Sequence, residues 1–153
     1  MAAEKPIALA CDHAGLELKN HILSVLKAQG HACRDFGTHS AARCDAIDFA
    51  VPACEAVLAG ECACALLFCG TGVAMSMVAN KLPGMRACCC SDTFSAEYTR
   101  RHNNANALCL GGRVVGFGLG EKLVVTFLKT AFEGGVYQQR NEKMAKLEQT
   151  GRL

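Results

Sequence analysis

Three short polar sets in this chain hold residue types suited to moving protons, and each follows an apolar run. They are Cys11-Asp12-His13-Ala14-Gly15, Cys69-Gly70-Thr71-Gly72-Val73-Ala74 and Ser91-Asp92. The middle set is the most pointed. Ala65 to Phe68 reads as a buried strand, Cys69 to Gly72 as a glycine turn, and Val73 to Asn80 as a helix. Such a junction aims backbone N–H groups and the positive end of a helix at one point, which suits an anion. Cys69 is expected last on the strand, at the mouth of that site, where a helix N-terminus favours the thiolate form. A base beside a cradle for an oxyanion suits proton abstraction next to a carbonyl. A tight strand–helix turn with an incidental cysteine fits the same residues.

Other glycine loops fit less well. A Walker-type phosphate loop needs Lys and Ser/Thr after its last glycine, where this chain has Val73-Ala74. A dinucleotide fingerprint wants glycine where Met75 stands, although Asp92 lies about 20 residues on, as a ribose-binding acid should. His13 beside Asp12 fits loop capping as well as catalysis. His102, within Arg100-Arg101-His102-Asn103-Asn104, fits a cationic cluster at a helix C-terminus. Taken singly, Arg113 and Arg140 are ordinary surface charges.

The elements that must position these residues alternate along the chain. Strand-like runs cover Pro6–Ala10, Ala32–Phe36, Cys64–Phe68, Arg86–Cys90 and Ala107–Leu110. Between them lie helical stripes: Leu18, Ile22, Val25 and Leu26; then Ala50, Cys54, Val57 and Leu58. Ser91 and Asp92 are N-cap residues for a helix reaching about His102, and Leu123, Val124, Phe127 and Leu128 mark a long later helix. Five short strands alternating with helices predict an α/β, single-domain, Rossmann-like three-layer fold, with a five-stranded parallel sheet and helices on both faces. Ligands bind such sheets beyond the carboxyl ends of the strands, where all three polar sets fall. After Gly134-Gly135 a charged helix, about residues 138–149, has only Met144 and Leu147 as a thin apolar stripe, so it is expected to lean on a partner subunit.

Composition narrows the classes. With 153 residues, 51% of them apolar, the chain suits one domain with a real core. A net charge of +2 with scattered lysines and arginines argues against nucleic acid or a membrane surface as the partner. No N-terminal leader pattern or bilayer-length apolar run is evident, so a cytoplasmic protein is expected. Eleven cysteines fall largely inside apolar runs, where cysteine acts as a small hydrophobe. Cys62-x-Cys64 lacks the spacing of a zinc site. Being a cysteine therefore singles out nothing, and Cys69 stands out by position alone.

Together the sets resemble one family. Cys11-Asp12-His13-Ala14-Gly15, Cys69-Gly70-Thr71-Gly72-Val73, Ala79-Asn80-Lys81, His102-Asn103 with Asn106, and Gly112-Arg113-Val114-Val115-Gly116 stand in the order and spacing of the ribose-5-phosphate isomerase B family, which also holds the galactose-6-phosphate isomerase subunits. The resemblance runs from about Ile7 to Glu148. It implies aldose–ketose isomerisation of a sugar phosphate through an enediolate, with no metal or other cofactor. By resemblance Cys69 is the base between C1 and C2, while Gly70, Thr71, Gly72, Val73 and Ala74 cradle the enediolate oxygens, Thr71 through its hydroxyl. His102 opens the furanose ring as acid/base. Asp12, His13, Asp45 and Asn103 contact the sugar, and Arg113 and Arg140 bind phosphate or hydroxyls. The family also implies a homodimer, sometimes paired into a tetramer, with sites built across the dimer interface.

Three departures stand out: Ala46-Ile47 where relatives often have Tyr-Pro, Val136 where they often have arginine, and Ala74 where they often have glycine. These leave a six-carbon sugar phosphate open beside ribose 5-phosphate. A non-catalytic nucleotide-binding module is the reading from another class.

Overall fold

The computed structural model describes residues 5–152. In chain order it has β1 (Ile7–Cys11), α1 (Leu16–Ala28), β2 (Cys33–Asp35), α2 (Ala46–Leu58), β3 (Ala65–Cys69), α3 (Val73–Ala79), β4 (Ala87–Cys89), α4 (Thr93–Arg101), β5 (Ala107–Gly111), α5 (Phe117–Lys129) and α6 (Val136–Thr150). The strands form one parallel sheet in the order β2-β1-β3-β5-β4.

Side-chain size sorts the two faces of that sheet. Leu9, Cys11, Leu66, Phe68, Leu108 and Leu110 point one way and meet Leu18, Ile22 and Leu26 of α1, Ala96 of α4, and Leu123, Val124 and Phe127 of α5. Ala8, Ala10, Ala65, Leu67, Ala107 and Cys109 point the other way and meet Ala50, Ala53 and Cys54 of α2 with Met75 and Ala79 of α3. The alternation is the two-residue period of a strand; burial on both faces makes each central strand wholly apolar. Right-handed crossovers dictate which helix goes where. Moves from β1 to β2 and from β4 to β5 run one way along the sheet and put α1 and α4 on the same face.

The strand order reverses between β1 and β3, so the loops after those two strands part and leave a crevice. Glycines bring its walls close. A Cβ on Gly15 would lie 2.4 Å from the Phe68 carbonyl, and one on Gly112 would lie 2.9 Å from the Ala14 carbonyl oxygen. Below the crevice, Lys19 is fully buried and donates to Asp35 at 2.6 Å.

Helix α6 begins two residues earlier than its apolar stripe predicts and has no buried residue among those described. It is tied to the rest by the Gly84 N–H donating to Glu148 (2.9 Å) and the Asn141 amide donating to the His102 carbonyl (3.5 Å). Among the described residues, no helix is long and apolar enough to cross a membrane.

Candidate active site

The crevice gathers most of the predicted residues. Cys69 is the last residue of β3 and is buried. Its Sγ accepts the backbone N–H of Gly72 at 3.1 Å. That contact needs Gly72 at φ 81°, a left-handed conformation, and a Cβ there would lie 2.8 Å from Cys89 Sγ and 3.0 Å from the Leu110 carbonyl carbon. Thr71 is exposed, and its Oγ1 accepts the Val73 N–H at 3.3 Å. Helix α3 has only seven residues, so the adjacent amides, more than a long dipole, supply the local positive field. The N–H groups of Ala74 and Met75 lie in its first turn, where no intrahelical partner exists.

Around the thiol stand charged and polar groups from two other loops. Asp12 Oδ1 accepts the N–H groups of Ala14 (2.9 Å) and Gly15 (3.1 Å), so the Asp12 carboxylate also starts α1. His13 Nδ1 lies 3.2 Å from both the N–H and the carbonyl of Cys44, which fixes the ring against the loop before α2. Asp45 is the N-cap of α2 by backbone geometry, yet its carboxylate makes no capping bond. Arg113 reaches in from the β5–α5 loop: its backbone N–H donates to the Gly70 carbonyl (3.0 Å), and its stem passes beside Gly70. Asp12, His13, Asp45, Cys69 to Ala74 and Arg113 thus form one group at the carboxyl edge of the sheet.

Position distinguishes Cys69 from the other cysteines, and burial sets five of those aside. Burial pushes the thiols of Cys11, Cys64 and Cys90 up to about 12 and that of Cys54 up to about 11. Cys109 is pushed well up by the same desolvation. None of those five is a candidate base.

His102, Asn103 and Arg140 are not in this group. Asn103 and the residues after it sit at the amino ends of the strands: Arg86 Nε donates to the carbonyls of Asn103 (3.2 Å) and Asn104 (3.0 Å), and the Ala65 N–H donates to Asn106 (2.9 Å). The five residues of β3 separate that edge from Cys69 by about 13 Å. There His102 closes the C-terminus of α4. Its ring stacks on Tyr137 (centroids 3.8 Å, 10°) and meets Tyr98 edge-on (4.8 Å, 90°), with Nε2 3.7 Å from Glu133. The Arg140 guanidinium lies over Tyr137 (5.4 Å). A groove of about 340 Å³ runs from His102 along the open edge of the sheet past Tyr98 and Phe94 to Cys89. Phe94, stacked on Tyr98 at 4.2 Å, is two-thirds exposed.

Sequence reading missed Glu133, Tyr137 and Cys44 as neighbours of these groups. No periodicity marks them; the only signal was proximity in sequence to Gly134-Gly135 and to Asp45. Asp92, weighed as a ribose-binding acid, instead accepts the Ser95 N–H at 2.7 Å and caps α4, a bond that holds its carboxyl below the usual range. Asp92 also follows β4, which is separated from β3 by β5.

Comparison with known proteins places these groups in a family context. The family model described as Ribose/Galactose Isomerase matches residues 7–144. The chain is 43% identical over 145 residues to ribose-5-phosphate isomerase B of Escherichia coli, covering 95% of this chain and 97% of that one. It is 37% identical over 127 residues to galactose-6-phosphate isomerase subunit LacB of Clostridium acetobutylicum, covering 83% and 73%. The solved structure of Clostridium thermocellum ribose-5-phosphate isomerase B superposes with a TM-score of 0.94 at 42% identity, covering 95% of this chain and 99% of that one.

Proposed function

The chain belongs to the ribose/galactose isomerase family of sugar-phosphate isomerases, and from that premise we propose that it interconverts ribose 5-phosphate and ribulose 5-phosphate with Cys69 as the base. The observation that carries this reading is the Gly72 N–H held 3.1 Å from Cys69 Sγ at the reversal of the sheet. An N–H donor on the sulfur favours the anion that must take the proton.

In the forward direction the Cys69 thiolate takes the proton from C2 of the open-chain aldose. The C2–H electron pair forms the C1–C2 double bond, and the carbonyl pair moves onto O1. The resulting enediolate lies between the Thr71 hydroxyl and the amides of Gly70 to Ala74, donors already in place where the charge develops. Return of the proton from Cys69 to C1, with proton exchange between O1 and O2, gives the ketose. Asp12, His13 and Asp45 hold the sugar hydroxyls, and Arg113 holds hydroxyl or phosphate.

Ring opening and the far end of the substrate require His102, Asn103 and Arg140, which sit at the opposite edge of the same chain. Their distance from Cys69 supports a homodimer in which a second copy supplies them. An unburied α6, an open sheet edge at β4 and the exposed Phe94 offer surface for that contact.

A second reading keeps the chemistry and takes a six-carbon sugar phosphate. Ala46-Ile47 favours it by removing bulk beside Asp45 and Val136 by removing a charge at the start of α6, as does the similarity to the galactose-6-phosphate isomerase subunit. The test is ketose formation from ribose 5-phosphate beside allose 6-phosphate and galactose 6-phosphate. Preferred turnover of ribose 5-phosphate upholds the first reading; preferred turnover of a hexose phosphate replaces it with the second; turnover of none overturns both.

A further inference from the structure

His102 is held more firmly than a surface histidine at a helix end requires. Its side chain is 29% exposed, and three side chains surround its ring. The Tyr137 face and the Tyr98 edge confine the ring between them, and Glu133 Oε2 lies 3.7 Å from Nε2. At that distance Glu133 forms an ion pair with the protonated ring.

Glu133 is itself built in. Its Oε1 accepts from the Arg101 guanidinium, and its backbone N–H donates to the Arg101 carbonyl at 3.0 Å. Glu97 holds the same guanidinium from the preceding turn, at 3.0 Å. The segment between α5 and α6 is therefore pinned to the end of α4 by main chain and side chain together. This leaves the second carboxylate oxygen 3.7 Å from His102 Nε2.

We infer that Glu133 is a positioning residue for ring opening: its carboxylate orients His102 and stabilises the imidazolium that delivers a proton to the ring oxygen. The inference rests on the ring-opening role of His102 proposed above. In that step the imidazolium gives its proton to the ring oxygen as the C1–O ring bond breaks, the C1 hydroxyl gives its proton to solvent water while its O–H pair closes the C1 carbonyl, and the open-chain aldehyde forms. Glu133 touches no substrate atom. It acts only through His102, so it matters to cyclic aldose and not to enediolate formation from the ketose.

The two halves of the reaction can be read separately. Conversion of ribose 5-phosphate needs ring opening, whereas exchange of solvent deuterium into C1 of ribulose 5-phosphate needs only the Cys69 proton transfer. Glu133→Gln keeps the shape and removes the charge. It is expected to slow ribose 5-phosphate conversion by roughly 10-fold or more, the effect of losing one contact to a charged group, and to leave deuterium exchange within twofold. Adding it to His102→Ala should cause no further loss. Equal loss of conversion and exchange in Glu133→Gln, loss of neither, or a further loss in the double variant would each overturn the inference. Normal conversion by His102→Ala would bring down the ring-opening role itself, and Glu133 with it; an impaired His102→Ala beside a normal Glu133→Gln brings down Glu133 alone.

Discussion

The Gly72 N–H and the Cys69 sulfur form a 3.1 Å contact that only glycine permits, because φ at residue 72 is 81° and the space for a Cβ is already filled by Cys89 Sγ and Leu110. Backbone strain and the proposed base therefore meet at one residue. Gly72→Ala should cost about 1–3 kcal/mol of stability from the left-handed backbone alone. It should also lower turnover by moving the amide off the sulfur. Gly118→Ala is the contrasting case, since among the described residues nothing lies within 4 Å of a Cβ there and the residue is helical. It should gain about 0.5 kcal/mol and keep full activity. Urea unfolding with parallel kinetics checks both, and a neutral Gly72→Ala would break the link.

Cys69→Ala should reduce isomerisation by about 10²–10⁴-fold, the usual contribution of a positioned base, while the fold persists. Alkylation gives an independent measure. At pH 8 the buried thiols raised to about 11 or 12 at Cys11, Cys54, Cys64 and Cys90 remain protonated and unreactive in the folded protein. Iodoacetamide also reaches more exposed thiols such as Cys44 and Cys89, so the measure is inactivation that tracks modification of Cys69 by mass spectrometry, with ribose 5-phosphate slowing both. Inactivation that tracks another cysteine, or a Cys69→Ala enzyme with near-normal turnover, contradicts the base assignment.

The β3–α3 junction and the doubly wound sheet were legible in the sequence because both rest on local pattern: a five-residue apolar run, a glycine turn, and helical stripes of three- and four-residue spacing. The separation of Cys69 from His102 was not. It depends on α4 running back to the amino edge of the sheet and on the order β3-β5-β4, and periodicity does not say where in a sheet a strand is placed. Glu133 and Tyr137 were invisible for the same reason, since they reach His102 from 31 and 35 residues away. Lys19 was hidden differently. A lysine beside Leu18 reads as the polar side of a helix, and its burial makes sense only once Asp35 of β2 is seen opposite.

That buried pair carries an asymmetry. Lys19 has no exposed side-chain surface, whereas Asp35 keeps 18% and also accepts the Gly37 N–H at 2.9 Å. Asp35→Asn strands an ammonium in the core and should cost about 3–5 kcal/mol. Lys19→Met puts a similar apolar volume in the core and leaves the carboxylate with water and one amide, so its loss should be no more than about half as large. Thermal unfolding of the two variants under one buffer condition decides it. A larger loss in Lys19→Met would mean that Asp35, not Lys19, depends on the pair.

Phosphate binding is where this chain departs most from the pattern it resembles. A phosphate dianion is best held by planar, two-pronged guanidinium groups, and Val136, half-exposed at the first residue of α6, stands where such a group is often found. Arg140 lies one helical turn further on the same face, exposed and resting over the Tyr137 ring at 5.4 Å. That stacking holds the guanidinium without occupying its N–H donors, so Arg140 is the cation poised to carry the load, with Arg113 acting from the crevice. One charge-assisted contact contributes about 1.5–3 kcal/mol, or roughly 10- to 150-fold in binding. Arg140→Ala should therefore raise KM for ribose 5-phosphate by that order. It should lower kcat as well if anchoring the phosphate sets C1 and C2 against Cys69. Val136→Arg should lower KM, since the position faces solvent and can accept the longer side chain. Steady-state kinetics on ribose 5-phosphate and on a hexose 6-phosphate measure both variants. A normal KM for Arg140→Ala on every substrate would move the phosphate away from α6, and with it the half of the site assigned to a second copy.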